Sequence, residues 1–144
     1  MARPRSANPR SVLVALRVTP RVRYGLKLLA QRERCSLSEL VLRTIEARFD
    51  DPVAGLRLVA KGERKPTSVL DRVWSPHECE RVVRLGLSYP DLLDEEQTCL
   101  WRTICETSKY WQFGSRRKRA GPQDVQWKAL AADWPRLKRR AGVA

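Results

Sequence analysis

The residues best suited to bind an anion lie near the N-terminus of the chain, and most of them are arginines. The first 34 residues hold nine Arg or Lys residues and one acid, Glu33. The guanidinium group of arginine is a planar fork of donors that matches a phosphate group or the edge of a guanine base. The basic residues of this segment are Arg3, Arg5, Arg10, Arg17, Arg21, Arg23, Lys27, Arg32 and Arg34. This concentration of charge predicts that the N-terminal quarter of the chain meets a polyanion.

A second anion-binding feature follows at Ser36-Leu37-Ser38-Glu39. A serine three residues before a glutamate is typical of a capping box, in which each side chain accepts a hydrogen bond from the backbone N–H of the other residue. We therefore expect a helix to begin here. The free N–H groups of its first turn, together with the helix dipole, are suited to bind a phosphate.

The sequence shows little evidence of a metal site or of a catalytic site. His77, Cys79, Cys99 and Cys105 supply four soft ligands, but their spacings match none of the usual zinc motifs. The chain has one histidine, no glycine-rich phosphate loop, and no nucleophile with a visible base and orienting group. We predict no cofactor, no metal and no enzymatic activity.

The whole chain is short and strongly basic. It has 144 residues, a formal net charge of +13 and 42% hydrophobic residues, which suits one ordinary domain or two small ones. No stretch approaches the ~20 apolar residues that cross a bilayer, and no apolar run follows the basic N-terminus as it would in a secretory signal. We expect a cytoplasmic protein with reduced cysteines and no membrane partner.

The N-terminal third contains one predicted strand and two predicted helices. Residues 1–10 lack hydrophobic periodicity and are expected to be a flexible basic arm. Residues 11–18 are short and rich in β-branched and apolar side chains, which favours a strand. A helix led by Pro20 is predicted to run to about Arg34. The helix that begins at the capping box is predicted to end near Asp50.

The rest of the chain is predicted to be a linker followed by a small helical domain. Residues 52–70 include a polar run and are interpreted as a linker. Residues 71–144 contain all five tryptophans and several helix starts. They favour a helical core that packs within one chain or across a dimer, and the alternative is an exposed aromatic groove for a protein partner. The basic run at residues 116–119 is a candidate for a second phosphate contact or a solvated loop.

One strand and two short helices do not make a self-sufficient fold. A lone strand leaves its backbone groups unpaired, and two helices of this size cannot enclose a core. The simplest solution is a dimer in which the strands of two chains pair antiparallel and four helices pack beneath them. The predicted fold is therefore mainly α. Its N-terminal strand-helix-helix unit, residues 11–51, is an obligate dimer through an antiparallel two-stranded ribbon, and a small C-terminal helical domain follows.

This N-terminal segment resembles the ribbon-helix-helix DNA-binding family of the Arc, CopG and MetJ type. The resemblance covers roughly residues 11–50. The features that carry it are the alternating strand, Pro20 at the helix start, Leu26-x-x-Leu29-Ala30, the Ser36-x-Ser38-Glu39 turn, and Leu40 with Ile45. Family members often have glycine between the helices, where this chain has Arg34-Cys35. We therefore expect the turn to form without a residue that is free to adopt the left-handed conformation.

The resemblance implies which residues meet DNA. Strand alternation directs one set of side chains toward the helices, namely Val12, Val14, Leu16 and Val18. The resembled family lays the opposite face of the ribbon in the major groove. The predicted base-reading residues are Ser11, Leu13, Ala15 and Arg17, with Arg17 as a bidentate donor to guanine. The predicted phosphate-binding residues are Ser36, Leu37 and Ser38 of the second helix, Arg3, Arg5 and Arg10 of the arm, and Arg21 and Arg23.

These features predict a sequence-specific double-stranded DNA-binding protein, interpreted as a bacterial transcriptional repressor on nucleoid or plasmid DNA. It would act as a homodimer or as paired dimers on adjacent half-sites. Two alternatives stay open: an accessory DNA-binding protein of plasmid conjugation or mobilisation (the relaxosome), and the antitoxin of a toxin–antitoxin pair. The basic, tryptophan-rich C-terminal half suits the first alternative and counts against the second, because antitoxin tails are usually acidic.

Overall fold

A computed structural model of the chain describes residues 12–51, 54–112 and 120–142. These residues are mainly helical, with six α-helices and one two-stranded antiparallel sheet, which confirms the predicted mainly α class. The chain divides into two compact units, residues 1–46 and 47–144. The predicted arm, residues 1–10, lies outside the described residues.

Helix α1 spans Pro20–Glu33 and begins as predicted. The side chain of Thr19 accepts a hydrogen bond from the N–H of Val22 at 3.4 Å. Pro20 is the first residue of the helix, where a backbone N–H has no carbonyl partner within the helix, so its missing N–H costs no hydrogen bond. The helix ends at Arg34, which has φ 52° and ψ 42°. The turn therefore does use left-handed geometry, at a position where glycine would avoid the steric cost of a Cβ atom.

Helix α2 spans Leu37–Phe49 and starts at the predicted capping residue. The N–H of Glu39 donates to the Ser36 hydroxyl at 3.1 Å, as a helix cap requires. The Glu39 carboxylate pairs with Arg43, one turn further along the same helix. The serine half of the predicted capping box is therefore present, and the glutamate serves as an ion-pair partner.

Residues 12–19, which include most of the predicted strand, form neither a helix nor a hydrogen-bonded strand within one chain. Their large apolar side chains are exposed, from 93% at Leu13 to 47% at Val18. The predicted ribbon needs the corresponding segment of a second chain, so it stays a prediction here.

Few side chains are buried in the first unit. Among its described residues only Ala30 and Leu40 are buried. Several apolar residues of the two helices are between 41% and 48% exposed, namely Val22, Leu29, Leu37 and Ile45. A single copy of this unit therefore has almost no hydrophobic core.

The segment predicted to be a linker, residues 52–70, contains the sheet. Strand β1 (Arg57–Val59) pairs antiparallel with β2 (Pro66–Ser68), and Leu58 lies opposite Thr67. Next to this hairpin is a small buried cluster formed by Ala60, Val69, Val73 and Tyr89. The sequence did not predict the hairpin because strands of three residues are too short to show alternation, and the turn between them is as polar as a linker.

Four further helices complete the second unit: α3 (Val69–Val73), α4 (Glu78–Ser88), α5 (Glu95–Glu106) and α6 (Trp127–Arg140). Helix α5 begins with a complete capping box, in which Asp94 accepts from the Gln97 N–H at 2.8 Å and Gln97 accepts from the Asp94 N–H at 3.2 Å. Short 3₁₀ turns at Pro90–Leu92, Ser108–Tyr110 and Pro122–Asp124 connect the longer helices.

Three of the five tryptophans, Trp101, Trp111 and Trp134, lie in the core of this unit. The rings of Trp101 and Trp111 meet edge-on, with centroids 6.3 Å apart and planes at 70°. The indole N–H of Trp111 donates to the carbonyl of Ile104 at 2.9 Å, so burial leaves this donor satisfied. Among the described residues, these side chains form a core within one chain. Trp74, by contrast, is exposed.

The close approach of α4 and α5 depends on Gly86. A Cβ atom at this position would overlap the indole ring of Trp101. Glycine in the middle of a helix costs up to about 1 kcal/mol relative to alanine, and here it gives the tryptophan ring room to pack against the helix backbone.

We predict that Gly86→Ala destabilises the second unit by about 1–3 kcal/mol, because overpacking outweighs the gain in helix propensity. Chemical denaturation followed by tryptophan fluorescence measures this change. The control is Gly25→Ala in α1, where a new Cβ meets no atom within 4 Å. An unchanged or raised stability of the Gly86 variant would contradict the packing described here.

We further predict that Arg34→Gly stabilises the first unit by about 1 kcal/mol, because glycine removes the clash that a Cβ atom makes in the left-handed conformation. Arg34→Ala is the control, since it removes the charge and retains the Cβ atom. Thermal unfolding followed by circular dichroism compares the two. If both substitutions change the stability of the first unit equally, the change comes from the loss of the Arg34 charge and not from the backbone conformation at this residue.

Candidate nucleic-acid interface

An open groove of about 760 Å³ runs along α1 toward the start of α2. Its lining comes from the end of the predicted strand, from one face of α1 and from the turn between the helices. The lining residues are Val18, Pro20, Arg23, Tyr24, Lys27, Ala30, Gln31, Arg34, Cys35 and Leu37. We call this surface the basic groove. Arg23, Lys27 and Gln31 are spaced four residues apart, so the helix repeat brings all three side chains to the same face.

The basic groove carries positive charge that nearby carboxylates do not neutralise. Three cations line it and no acidic side chain does. Among the described residues none of these cations, Arg23, Lys27 or Arg34, makes an ion pair. The carboxylates of Glu33 and Glu39 instead lie within 4.0 Å of Arg43, whose hydrogen bond lowers the pKa of Glu39 below its usual value. The groove is therefore suited to hold an anion.

The first turn of α1 is basic where helix stability favours acids. It contains no acidic residue, and Arg21 and Arg23 are both exposed there. The N-terminus of a helix carries a partial positive charge, so a cation near it costs roughly 0.3–1 kcal/mol and an anion would gain a similar amount. Two arginines at this position lower the stability of the helix, and this cost is offset when they meet an anion.

The N-terminus of α2 adds backbone donors at the end of the basic groove. Leu37 lines the groove, and Ser38 follows it on the exposed surface. Within the described part of the chain the N–H groups of these two residues make no hydrogen bond, whereas the Glu39 N–H is capped by Ser36. Two backbone donors and the positive end of the helix dipole are therefore available to one anion.

The predicted base-reading residues that fall within the described chain are all exposed: Leu13, Ala15 and Arg17. No ion pair engages Arg17 among the residues that the structure describes. Four predicted site residues lie outside the described residues, namely Arg3, Arg5, Arg10 and Ser11.

Sequence reasoning missed three candidate phosphate-binding residues, Lys27, Gln31 and Arg34. The signal was present in the sequence, because Arg23, Lys27 and Gln31 recur at the spacing of one helix face. In the sequence the apolar residues define helix α1, and the residues of its polar face contribute only to the total charge.

The structure brings together no group of three or more His, Cys, Asp or Glu side chains that could hold a metal, as far as the described residues go. No helix among them is both long and apolar enough to span a bilayer. Comparison with protein-family models, with curated protein sequences and with solved structures finds no match to this chain.

We predict that Arg21→Glu combined with Arg23→Glu raises the stability of α1 and weakens DNA binding. The acids complement the helix dipole, which favours folding by up to about 1 kcal/mol each, while phosphate contacts are lost. The affinity should fall by a similar factor for every duplex sequence, because phosphate contacts carry no sequence information.

Salt titration of duplex binding and thermal unfolding measure the two effects on the same variant. The control exchanges two charges on exposed helix positions outside the basic groove, Arg32→Glu and Arg48→Glu. Equal loss of affinity in both double variants would indicate that net charge alone, and not the first turn of α1, determines binding.

Proposed function

We propose that this protein is a sequence-specific double-stranded DNA-binding protein that acts as a homodimer and represses transcription by occupying its site. In this proposal residues 11–18 of two chains pair as an antiparallel ribbon, and the ribbon lies in the major groove. The N-termini of α2 and the basic groove bind the flanking phosphates.

The observation that carries the proposal is the uncovered apolar surface of the first unit. With two buried side chains among its described residues, a unit of this size cannot repay the conformational entropy of folding alone. The exposed apolar positions include both the segment before α1 and apolar residues of α1 and α2. A second copy supplies the same strand and the same helix faces, so a two-fold symmetric dimer covers both sets at once.

The charge distribution favours DNA as the ligand. Arg17, Arg21, Arg23 and Lys27 are exposed and lie within one short stretch that holds no acid. Neutralising phosphates releases the counterions that are condensed on DNA, which supplies much of the binding free energy. The resemblance to the ribbon-helix-helix family supports the same ligand and the same mode of docking.

Sequence readout is assigned to the outward side chains of the ribbon. In a strand, alternate residues face the same side, so Leu13, Ala15 and Arg17 share a face with Ser11. The guanidinium group of Arg17 can donate two hydrogen bonds to O6 and N7 of guanine, and the side chains of Leu13 and Ala15 can contact thymine methyl groups.

The direct test is selection of bound duplexes from a random pool at a stated salt concentration, followed by footprinting. A repeat protected upstream of the protein's own coding region supports repression, and protection at a transfer origin alone would favour the conjugation role. Recovery of no preferred sequence would contradict the proposed readout.

We predict that Arg17→Ala lowers the discrimination between the selected site and random DNA by about 1–3 kcal/mol while the dimer persists. Competition binding with both duplexes measures discrimination, and sedimentation measures the dimer. Arg32→Ala is the matched control, because it removes one exposed arginine from α1 outside the basic groove and should leave discrimination unchanged. Equal discrimination by wild type and the Arg17 variant would remove this residue from the readout.

A further inference from the structure

The second unit contains a small basic pocket that the proposed DNA-binding surface does not use. It has a volume of about 170 Å³ and lies between the turn after α5 and the last two turns of α6. Its lining residues are Thr107, Lys109, Tyr110, Asp133, Arg136, Leu137 and Arg140. We call it the α6 pocket.

One carboxylate lies in the α6 pocket, and two neighbours already engage it. The hydroxyl of Tyr110 donates to Oδ2 of Asp133 at 2.8 Å, and Nζ of Lys109 pairs with the same oxygen. These two hydrogen bonds, that of Lys109 first, lower the pKa of Asp133 below its usual value. Burial and the bond to Asp133 raise the pKa of Tyr110 to about 12, so the phenol keeps its proton and remains the donor.

The two arginines of the pocket have no such partner. Arg136 and Arg140 lie four residues apart on α6, so both side chains project from the same face of the helix. Neither makes an ion pair within the part of the chain that the structure describes. Both arginines line the same pocket as Tyr110, and their positive charges oppose the rise in the pKa of its hydroxyl.

The pocket therefore has three cations and one carboxylate in a space equal to the volume of about six waters at ~30 Å³ each. A phosphate group, with one phosphorus and four oxygens, fits this volume. Guanidinium groups bind phosphate with two parallel hydrogen bonds, and the remaining N–H bonds of the Lys109 ammonium supply further donors.

We propose that the α6 pocket binds a single phosphate of the DNA backbone, held by Arg136, Arg140 and Lys109. This inference rests on the proposed function, since it takes DNA as the source of the phosphate. It gives the second unit a part in DNA binding that is independent of sequence, because a phosphate contact adds affinity and salt dependence without base discrimination.

The test compares two double variants of the full-length chain that remove equal charge. The pocket variant is Arg136→Gln with Arg140→Gln, and the control is Lys128→Gln with Arg139→Gln on another face of α6. Arg136, Arg139 and Arg140 lie in the last two turns of α6, and Lys128 lies in its first turn. All four side chains are exposed, so both variants should fold. Duplex binding is measured as a function of salt, and inorganic phosphate is titrated into wild type while the amide resonances of Lys109 and Arg136 are followed by NMR.

The pocket variant should bind every duplex on the order of tenfold more weakly than the control at the same salt. The slope of log affinity against log salt should be smaller than that of the control by about 0.9, the value for one phosphate. Equal slopes and affinities of the two variants would overturn the proposal. If the amide resonances of Lys109 and Arg136 then shift when inorganic phosphate is added, the pocket binds a free phosphate compound. If these resonances do not change, the cluster of charged side chains has only a structural role.

Failure of the α6 pocket assignment can be distinguished from failure of the proposed function. If wild type binds DNA with a sequence preference that Arg17→Ala abolishes, and the pocket and control variants bind alike, the proposed function stands and the α6 pocket assignment fails. If wild type binds no duplex at low salt, the proposed function itself fails, and with it the DNA source of the phosphate.

Discussion

The apolar side chains of the first unit, left uncovered in a single chain, are the constraint on which the rest of the account depends. Burial of apolar surface contributes roughly 25 cal/mol per Å² to folding, and a unit with two buried side chains collects little of it. In the segment before α1, the backbone donors and acceptors are paired by no strand among the described residues. In the proposed dimer a second copy meets both needs, because the two strands complete each other's hydrogen bonds and the ribbon covers the helices. The proposal therefore makes dimerisation a condition for folding of the first unit and also the source of the surface that enters the groove.

The electrostatic features of the first unit are consistent with the same arrangement. A helix that served stability alone would place acids in its first turn, yet α1 has none there and has two arginines instead. Among the described residues the cations of the basic groove make no ion pair, while Arg43 on α2 pairs with two carboxylates. Charges kept apart in this way are available for an external anion. The α6 pocket repeats the pattern in the second unit, where a lysine pairs with the one carboxylate and the two arginines make no ion pair with any residue that the structure describes.

The local signals of the sequence predicted the helices better than the sheet. Thr19-Pro20 and Ser36 marked the starts of α1 and α2 because caps act through residues close in sequence. The hairpin of residues 57–68 was not predicted, since its pairing depends on the small cluster around Val69 and Tyr89, which is formed by contacts distant in sequence. The left-handed turn at Arg34 was also missed, because glycine is the usual signal for that geometry. The aromatic residues did predict a helical core, whereas the α6 pocket could not be foreseen before α6 and the turn after α5 were placed side by side.

The most direct test of the central claim is sedimentation equilibrium of the full-length protein over a range of concentrations around 1 µM, combined with circular dichroism. The account predicts a species of twice the 16.6 kDa chain mass, and it predicts that dilution to monomer is accompanied by loss of the helical signal of the first unit. A monomer that keeps its full helix content at these concentrations, or residues 11–18 that prove helical in solution, would contradict it.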